Sequence, residues 1–497
     1  MYHYNLSPSF ICQCRFRWVA CQLEKLRLCI PRTKDIRRAL EELPKTLDET
    51  YARILEEIDE TNWKYAHIFF QCVAVASRPL LVDELVQFLS FDFDTESTPT
   101  FLTDWHPEDP ARTVLSMCSS LLAVVDEDYG SRTPILVVQF AHFSAQEYLM
   151  SARLAEAKDA ISRFHVSTTP AHTIVARACL GILLHLDETV TKYSLYDNFP
   201  LAEYAAEHWV GHALIEDVSS KVLDGMKRLF NSDKSHLSIW VWIWDPDSLW
   251  RQLDRSERPG EANATPLHYA ALYGLHDVAK FLIVEHSQEL NAQGFDDKQT
   301  PLHVALRNKH TDIAQLLLEH GADGKAEDSY KLTPLHLSSH HGYVEVAQIL
   351  LELGADMEAR DRQGRNPLVW ASERGHVEFA RLLLEHGADA NTKNNDGWTS
   401  LHISSSRVYV GVARVLLEHG AIANARNDSH ATPLHLASNR QYKLKERIDL
   451  IRLLVQYGSD INARDDKGWT PFMMATDEKI DDIMQFLLEL GAEDHRK

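Results

Sequence analysis

The last half of the chain repeats one short pattern at an almost constant spacing, and that spacing limits the fold more than any other property. The copies read TPLHYAALYG from Thr265, TPLHVALRNK from Thr300, TPLHLSSHHG from Thr333 and NPLVWASERG from Asn366. They continue as TSLHISSSRV from Thr399, TPLHLASNRQ from Thr432 and TPFMMATDEK from Thr470. Positions 300, 333, 366, 399 and 432 lie 33 residues apart, with a first interval of 35 and a last of 38. A unit of that length is one supersecondary element that cannot bury its apolar face alone. Stacked neighbours must supply a continuous core, so a solenoid is expected.

Each position in the unit has a physical reason. Thr300, Thr333 and Thr432 are helix-capping residues. The Pro that follows suits the first helical turn, where its missing N–H costs nothing. Leu335 with Ser338, and Leu434 with Ala437, leave room for two antiparallel helices to approach closely. Gly274, Gly342 and Gly375 end the first helix in the left-handed conformation. A second helix follows in QLLLEHGAD (315–323), QILLELGAD (348–356) and RLLLEHGAD (381–389), closed by Gly321, Gly354 and Gly387. The segments Asn391 to Gly397 and Asn462 to Gly468 carry hairpin-turn chemistry. A 33-residue period headed by T-P-L-H-x-A closely resembles the ankyrin-repeat family. The resemblance implies a module that binds other proteins and carries no chemistry of its own.

A chain of 497 residues calls for two to four domains. Its net charge of −21 is spread evenly: residues 1–260 hold 26 Lys and Arg against 37 Asp and Glu, which leaves 25 against 35 in the rest. An evenly acidic chain is a poor partner for nucleic acid or an anionic membrane. The seven cysteines (12, 14, 21, 29, 72, 118, 179) precede the repeats without disulfide-scaffold spacing, which fits a reducing compartment. MYHYNLSPSF is not a basic leader ahead of an apolar stretch, and no run approaches 18 apolar residues. The expectation is a soluble, cytoplasmic protein.

Before the repeats, Phe16, Val19, Leu23 and Leu26 form one amphipathic face that Pro31 interrupts. Helices follow through IRRALEEL and TLDETYARILEEI, the latter with Leu47, Tyr51, Ile54 and Leu55 on one side. NWKYAHIFFQCVAVASRPLLVDELVQFLS reads as two helices split at Arg78-Pro79. A helix near 110–118 comes next, then the β-like runs SSLLAVVDED and TPILVVQFAHF around a polar turn. Helix, helix, helix, strand, turn, strand is a winged-helix order. Apolar helices continue through TIVARACLGILLHL and LAEYAAEHWVGHA to the polar break RSERPGEANA. The expected division is a helical segment over 1–60, a winged helix over 61–165, a helical connector over 166–255 and seven repeats over 256–497. The expected fold is mainly α, a helical and winged-helix N-terminal half followed by an ankyrin-repeat solenoid.

FRWVACQLEKLRLC, LPKTLDETYARIL, ASRPLLVDEL, VQFAHFSAQEYL and PLAEYAAEHWV together resemble fungal NACHT–ankyrin proteins of the STAND class over residues 15–497. These are relatives of nucleotide-switched, NLR-like immune receptors. The resemblance implies that residues 1–60 are the helical part following a NACHT module, and that the winged helix and connector belong to the regulatory part of the switch. It departs at one point. A complete member carries an NTPase core opened by a G-x-x-x-x-G-K-[ST] phosphate loop, and no segment satisfies that pattern. The nearest, Gly321-Ala-Asp-Gly324-Lys325-Ala326, has its first Gly two residues too close and Ala where Ser or Thr must hold magnesium. The expectation is a chain without the NTPase core: no enzyme and no cofactor.

Other candidates have plainer readings. LLAVVDED at 121–128 imitates a magnesium-binding strand but reads as a strand running into an acidic turn. PARTVLSMC carries one basic residue and the turn DEDYGSR is mostly acidic, which argues against DNA. Cys12, Cys14, Cys21 and Cys29 lack zinc-pair spacing, and no metal site is expected. His268, His303, His336, His402 and His435 are fourth in the repeat head, where the ring ties neighbouring repeats together. His320, His386 and His419 suit a helix C-terminus. Trp240, Trp242, Trp244 and Trp250 read as a plug between connector and first repeat, on a strand or a short helix.

The expected function is recognition: a non-catalytic sensor or adaptor that binds a protein ligand, with other STAND proteins among the candidates. Two alternatives stay open, a fragment of an NTP-dependent STAND switch and a pure ankyrin scaffold. In stacked repeats the residues just before each head, and those seven and eight positions after it, line one concave face. They are Leu272, Tyr273, Arg307, Asn308, Tyr330, His340, His341, Arg365, Glu373, Arg374, Trp398, Arg407, His430 and Trp469, with Trp370 at the border. The longer sixth unit is expected to place Arg440, Lys443, Lys445 and Arg447 on a basic loop.

Overall fold

A computed structural model describes residues 46–94, 98–102, 107–126, 135–157, 160–231, 235–244, 262–439 and 442–494. They belong to two compact units, residues 1–262 and 263–497. The expected helices before residue 46, the four clustered cysteines, Trp250 and Arg440 lie outside the described residues.

In the first unit, Thr46 caps α1 (Leu47–Glu56) by accepting the Glu49 N–H, and Tyr51, Ile54 and Leu55 turn inward from it. α2 (Trp63–Val75) runs to the Arg78-Pro79 turn. Then come β1 (Leu80–Leu81), α3 (Val82–Gln87), a hairpin of β2 (Phe91–Asp92) with β3 (Thr100–Phe101), and α4 (Pro110–Cys118). β4 (Leu122–Asp126) and β5 (Leu136–Phe140) follow. The sheet order is β1-β5-β4, all antiparallel, with Val138 of β5 opposite both Leu80 and Val124. Two strands are legible in the sequence and the third is not, because two residues carry no alternation to detect. The buried Glu84 carboxylate fixes that corner. It accepts the Leu81 N–H at 2.7 Å and grips Arg78 through two bonds of 2.5 and 2.8 Å.

Among the described residues, the rest of the first unit is helical: α5 (Phe143–Leu149), α6 (Ala152–Ala155), α7 (Thr168–His185), α8 (Lys192–Asn198), α9 (Leu201–Ala213), α10 (Ser219–Leu229) and α11 (His236–Ile243). Helix α7 is buried along most of its length because α2, α9 and α10 pack on it. The tryptophan-rich segment is a helix, not a strand. Trp240 is fully buried, donates its indole N–H to Ala206 O at 2.8 Å, and packs on Trp209 and Phe230. It is therefore a core residue of the first unit. Trp242 and Trp244 are half-buried.

The second unit is seven helix pairs: α12 (Pro266–Tyr273) with α13 (His276–Glu285), α14 (Pro301–Arg307) with α15 (Thr311–Glu319), α16 (Pro334–His341) with α17 (Val344–Glu352) and α18 (Pro367–Arg374) with α19 (Val377–Glu385). The series ends with α20 (Ser400–Arg407) and α21 (Val410–Glu418), α22 (Pro433–Ser438) and α23 (Leu444–Gln456), and α24 (Pro471–Asp477) and α25 (Asp481–Glu489). The head histidines join the units as the sequence predicts. In five heads the Thr hydroxyl lies 2.8–2.9 Å from the His Nδ1 three residues on. The same Thr N–H also points at Nδ1. Nδ1 is thus an acceptor, and Nε2–H donates to a carbonyl of the next unit at 2.9–3.1 Å. In the fifth unit Val408 (φ 63) takes the left-handed position that Gly375 (φ 80) fills in the fourth. A β-branched residue there costs about 1–2 kcal/mol.

Candidate protein-interaction surface

The turns between units are built from short polar side chains. Asp328 Oδ1 accepts the N–H groups of Tyr330 and Leu332, and Asp361 Oδ1 those of Gln363 and Arg365. Asn394 and Asp465 do the same ahead of Trp398 and Trp469. Successive turns are then tied through the backbone: Ser329 N–H to Asp297 O, Arg362 N–H to Tyr330 O, Asn395 N–H to Gln363 O. The row of turns is fixed, and the ends of the first helices stand beside it.

On this frame the central residues of the expected surface meet and the terminal ones do not. Arg365 lies 4.1 Å from the centre of the Trp370 ring, bonds Asp361 at 2.8 Å and reaches Glu373 at 3.1 Å. Arg407 reaches Glu373 from the next unit at 3.4 Å. Trp370 donates to Asp361 at 3.1 Å and meets the His340 ring edge-on at 5.0 Å. His340 in turn packs on His341 at 4.7 Å and accepts from Arg374 Nε at 3.3 Å. Arg307 pairs with Asp297 and Asp328, while Asn308 turns back to the Val304 carbonyl. Tyr330 is exposed, with the Arg362 guanidinium 5.3 Å from its ring. Leu272 and Tyr273 are half-buried at one end of the row, and His430 and Trp469 are exposed at the other.

Positional counting misses Arg362, Lys309 and Tyr442. Arg362 sits at a turn tip and Lys309 nine residues after its repeat head, both outside the counted positions. Tyr442, on the insertion, helps line a cavity of about 270 Å³ with Glu373, Trp398, Ile403, Ser406 and Arg407.

The first unit has its own cavity, of about 560 Å³, lined by Arg78, His142, Phe143 and Gln146 among others. His142 Nδ1 and Ser144 Oγ are 2.6 Å apart, a pair that the sequence reading did not single out. The Ser144 N–H also points at Nδ1, and the Ser144 hydroxyl contacts Tyr51 OH at 2.7 Å. The His142 ring caps α5, and the Ser144 hydroxyl is held between that ring and Tyr51. Among the described residues, no group of three or more His, Cys, Asp and Glu side chains is placed to hold a metal, and no helix is long and apolar enough to cross a membrane.

Comparison with known proteins bears on the second unit first. The family described as "Ankyrin repeats (3 copies)" matches in five overlapping windows, 267–361, 321–394, 353–427, 388–465 and 423–497. Residues 267–497 are ankyrin repeats. The chain is also 31% identical over 296 residues to the azaphilone pigments biosynthesis cluster protein L of Monascus ruber, covering 57% of this chain and 61% of that one. It is 26% identical over 151 residues to the vegetative incompatibility protein HET-E-1 of Podospora anserina, 30% of this chain and 10% of that one. Mouse Rabankyrin-5 matches over 64 residues at 41% identity. The chain spans less than two thirds of the length of each of these relatives. Ankyrin repeats are protein-interaction modules, and that is the coarse character the match gives the second unit.

The sixth ankyrin repeat corrects the expected basic loop. Its extra residues lengthen the second helix, α23, which has 13 residues where α15 has 9. Lys445 and Arg447 lie in the first turn of that helix, and Lys443, at φ 55, caps it with its ammonium 5.3 Å from the Tyr409 ring. Arg447 is fully buried. It donates to the carbonyls of Tyr442, Leu436 and Ala437 at 3.0, 3.1 and 2.7 Å and packs on the Tyr442 ring. Its guanidinium is a staple for the insertion. Arg447→Met is expected to destabilise the array by about 2–3 kcal/mol, because buried carbonyls lose their donor. A urea titration of the variant against the parent chain measures this, and an unchanged midpoint would return Arg447 to the surface.

Proposed function

We propose that the ankyrin array captures a protein ligand on the face centred at Trp370, and that the chain works as a non-catalytic, cytoplasmic sensor or adaptor of the STAND, NLR-like type. The observation that carries this is the connected cluster of Arg365, Trp370, His340 and Arg374. It places an aromatic ring and two guanidinium groups, the side chains that most often dominate interfaces, on a rigid row of turns. In the first unit, α2, α3 and α4 with the β1-β5-β4 sheet support a winged-helix reading of 61–165, and α7 to α11 a connector over 166–255. Similarity to a protein named for vegetative incompatibility supports the STAND assignment. Other STAND proteins are then candidate ligands, and the first unit passes on occupancy of the array.

Alanine at Tyr330, Trp370 and Arg374 together tests the surface. Proteins that the immobilised full chain retains from a cell extract should fall at least tenfold. The helical signal should persist with a loss of only about 1–2 kcal/mol, from the Trp370 contacts to Arg365 and Asp361. Retention unchanged by the triple variant would move the docking site off this face.

A further inference from the structure

The ends of the first helices form a basic row in a chain of net charge −21. Arg307 and Lys309, His340 and His341, Arg374 and Arg407 follow one another from the second repeat to the fifth. The second helices, which lie elsewhere in each repeat, carry the acids, such as Glu345 and Glu352 on α17 or Glu378 and Glu385 on α19. Carboxylates near the row are already consumed. Asp328 and Asp361 are buried, each accepting two backbone N–H groups of its own turn and an Arg. Glu373 is held between Arg365 and Arg407. Lys309 and Arg374 are exposed and form no ion pair among the described residues. The imidazoles beside them register the surplus. Burial, and after it Arg374, His341, His376 and Arg365, push His340 down to about 4. Burial, then Lys309 and Arg374, lower His341 as well. An anion arriving there meets cations that no protein carboxylate neutralises, beside the Trp370 ring that packs on His340.

We propose that this groove receives an acidic peptide segment of the partner, its carboxylates seated on Lys309 and Arg374 against the His340–His341 pair. This rests on the reading of the same face as the docking surface, and names the chemistry of what docks. Complementary charge of this kind speeds encounter and selects the partner, and its effect falls with salt. The short row of cations suits a peptide better than the long anionic track of a nucleic acid.

The test presents the full chain to a random twelve-residue peptide library displayed on phage. Peptides rich in Asp and Glu should be enriched, and they should bind at least tenfold more weakly when salt rises from about 50 to 300 mM. Lys309→Glu with Arg374→Glu should weaken them at least tenfold. The milder Lys309→Gln with Arg374→Gln should also weaken them if charge reversal disturbs folding. A charge-matched control at two exposed lysines away from the row, Lys280→Glu with Lys325→Glu, should leave binding within twofold. Neutral or basic peptides that are lost on Trp370→Ala would overturn the acidic assignment and keep the docking surface. Peptides indifferent to Trp370→Ala, or no binders, would overturn both. A single-stranded oligonucleotide of about 20 bases that binds tighter than the selected peptides would overturn the assignment to protein.

Discussion

Lowering the pH from 7.5 to 5 is expected to cost the ankyrin array about 4 kcal/mol of stability through His268 and His402 alone. Burial pushes both imidazoles from 6.5 down to about 4, against the opposing pull of the carbonyls that accept their Nε2–H. The unfolded chain takes up these protons near pH 6.5, while the folded array refuses them until about pH 4. The unfolded state therefore binds more protons throughout that window, and stability falls as the pH falls through it, by about 2 kcal/mol per ring at pH 5. Above pH 6.5 the effect is fully in the array's favour. The structural cause is visible at Nδ1, which accepts from the Thr399 hydroxyl and N–H and has no place for a second proton. His303, His336 and His435 shift in the same direction for the same reason. In the first unit, burial and then His172 and His208 push His212 down to about 3. Urea titrations at pH 7.5 and 5.0 give the loss, and His402→Gln should shrink it by about 2 kcal/mol. A loss of equal size in parent and variant would show that the protons go elsewhere.

What the sequence discloses follows from how far each interaction reaches along the chain. The repeat head is legible because its parts are local: Thr399 and His402 are three residues apart, and the carbonyl that the ring contacts, Ala431, recurs at the repeat period. The β4–β5 hairpin is legible because four of the five residues in each strand are apolar, whereas β1 and the β2–β3 pair are two-residue strands set by tertiary contact. Positional counting finds Arg365, Trp370, Glu373 and Arg374, since regular repeats put them in register. It fails at the sixth repeat, where the charge of Arg447 suggests solvent. There a longer α23 carries the guanidinium inward to carbonyls that need a donor. Nor can counting tell which cations are already spent. Arg307 and Lys309 look alike in sequence, but only Arg307 lies within reach of Asp297 and Asp328.

Leu350→Ala is expected to destabilise the array by about 2–5 kcal/mol, near the upper end of that range. Leu350 is fully buried on α17, and its Cδ2 lies 2.8 Å from where a side chain at Gly324 would begin. The corresponding positions in the later repeats are Met357, Ala390, Ala423 and Ile461, so Leu350 fills space that a side chain would otherwise share. Removing it leaves a cavity bordered by a glycine, which has nothing to move into the gap. That is the condition under which large-to-small changes cost most. The same geometry makes Gly324→Ala an overpacking change of about 1–3 kcal/mol while Leu350 is present. Once Leu350 is alanine, the added methyl occupies part of the void. The double variant should therefore be more stable than the sum of the two single costs predicts, by about 1 kcal/mol or more. Urea unfolding of the parent, the two single variants and the double variant closes this cycle. Strict additivity would mean that the close approach at Gly324 is relieved by movement of the loop, and that Leu350 packs mainly within its own repeat.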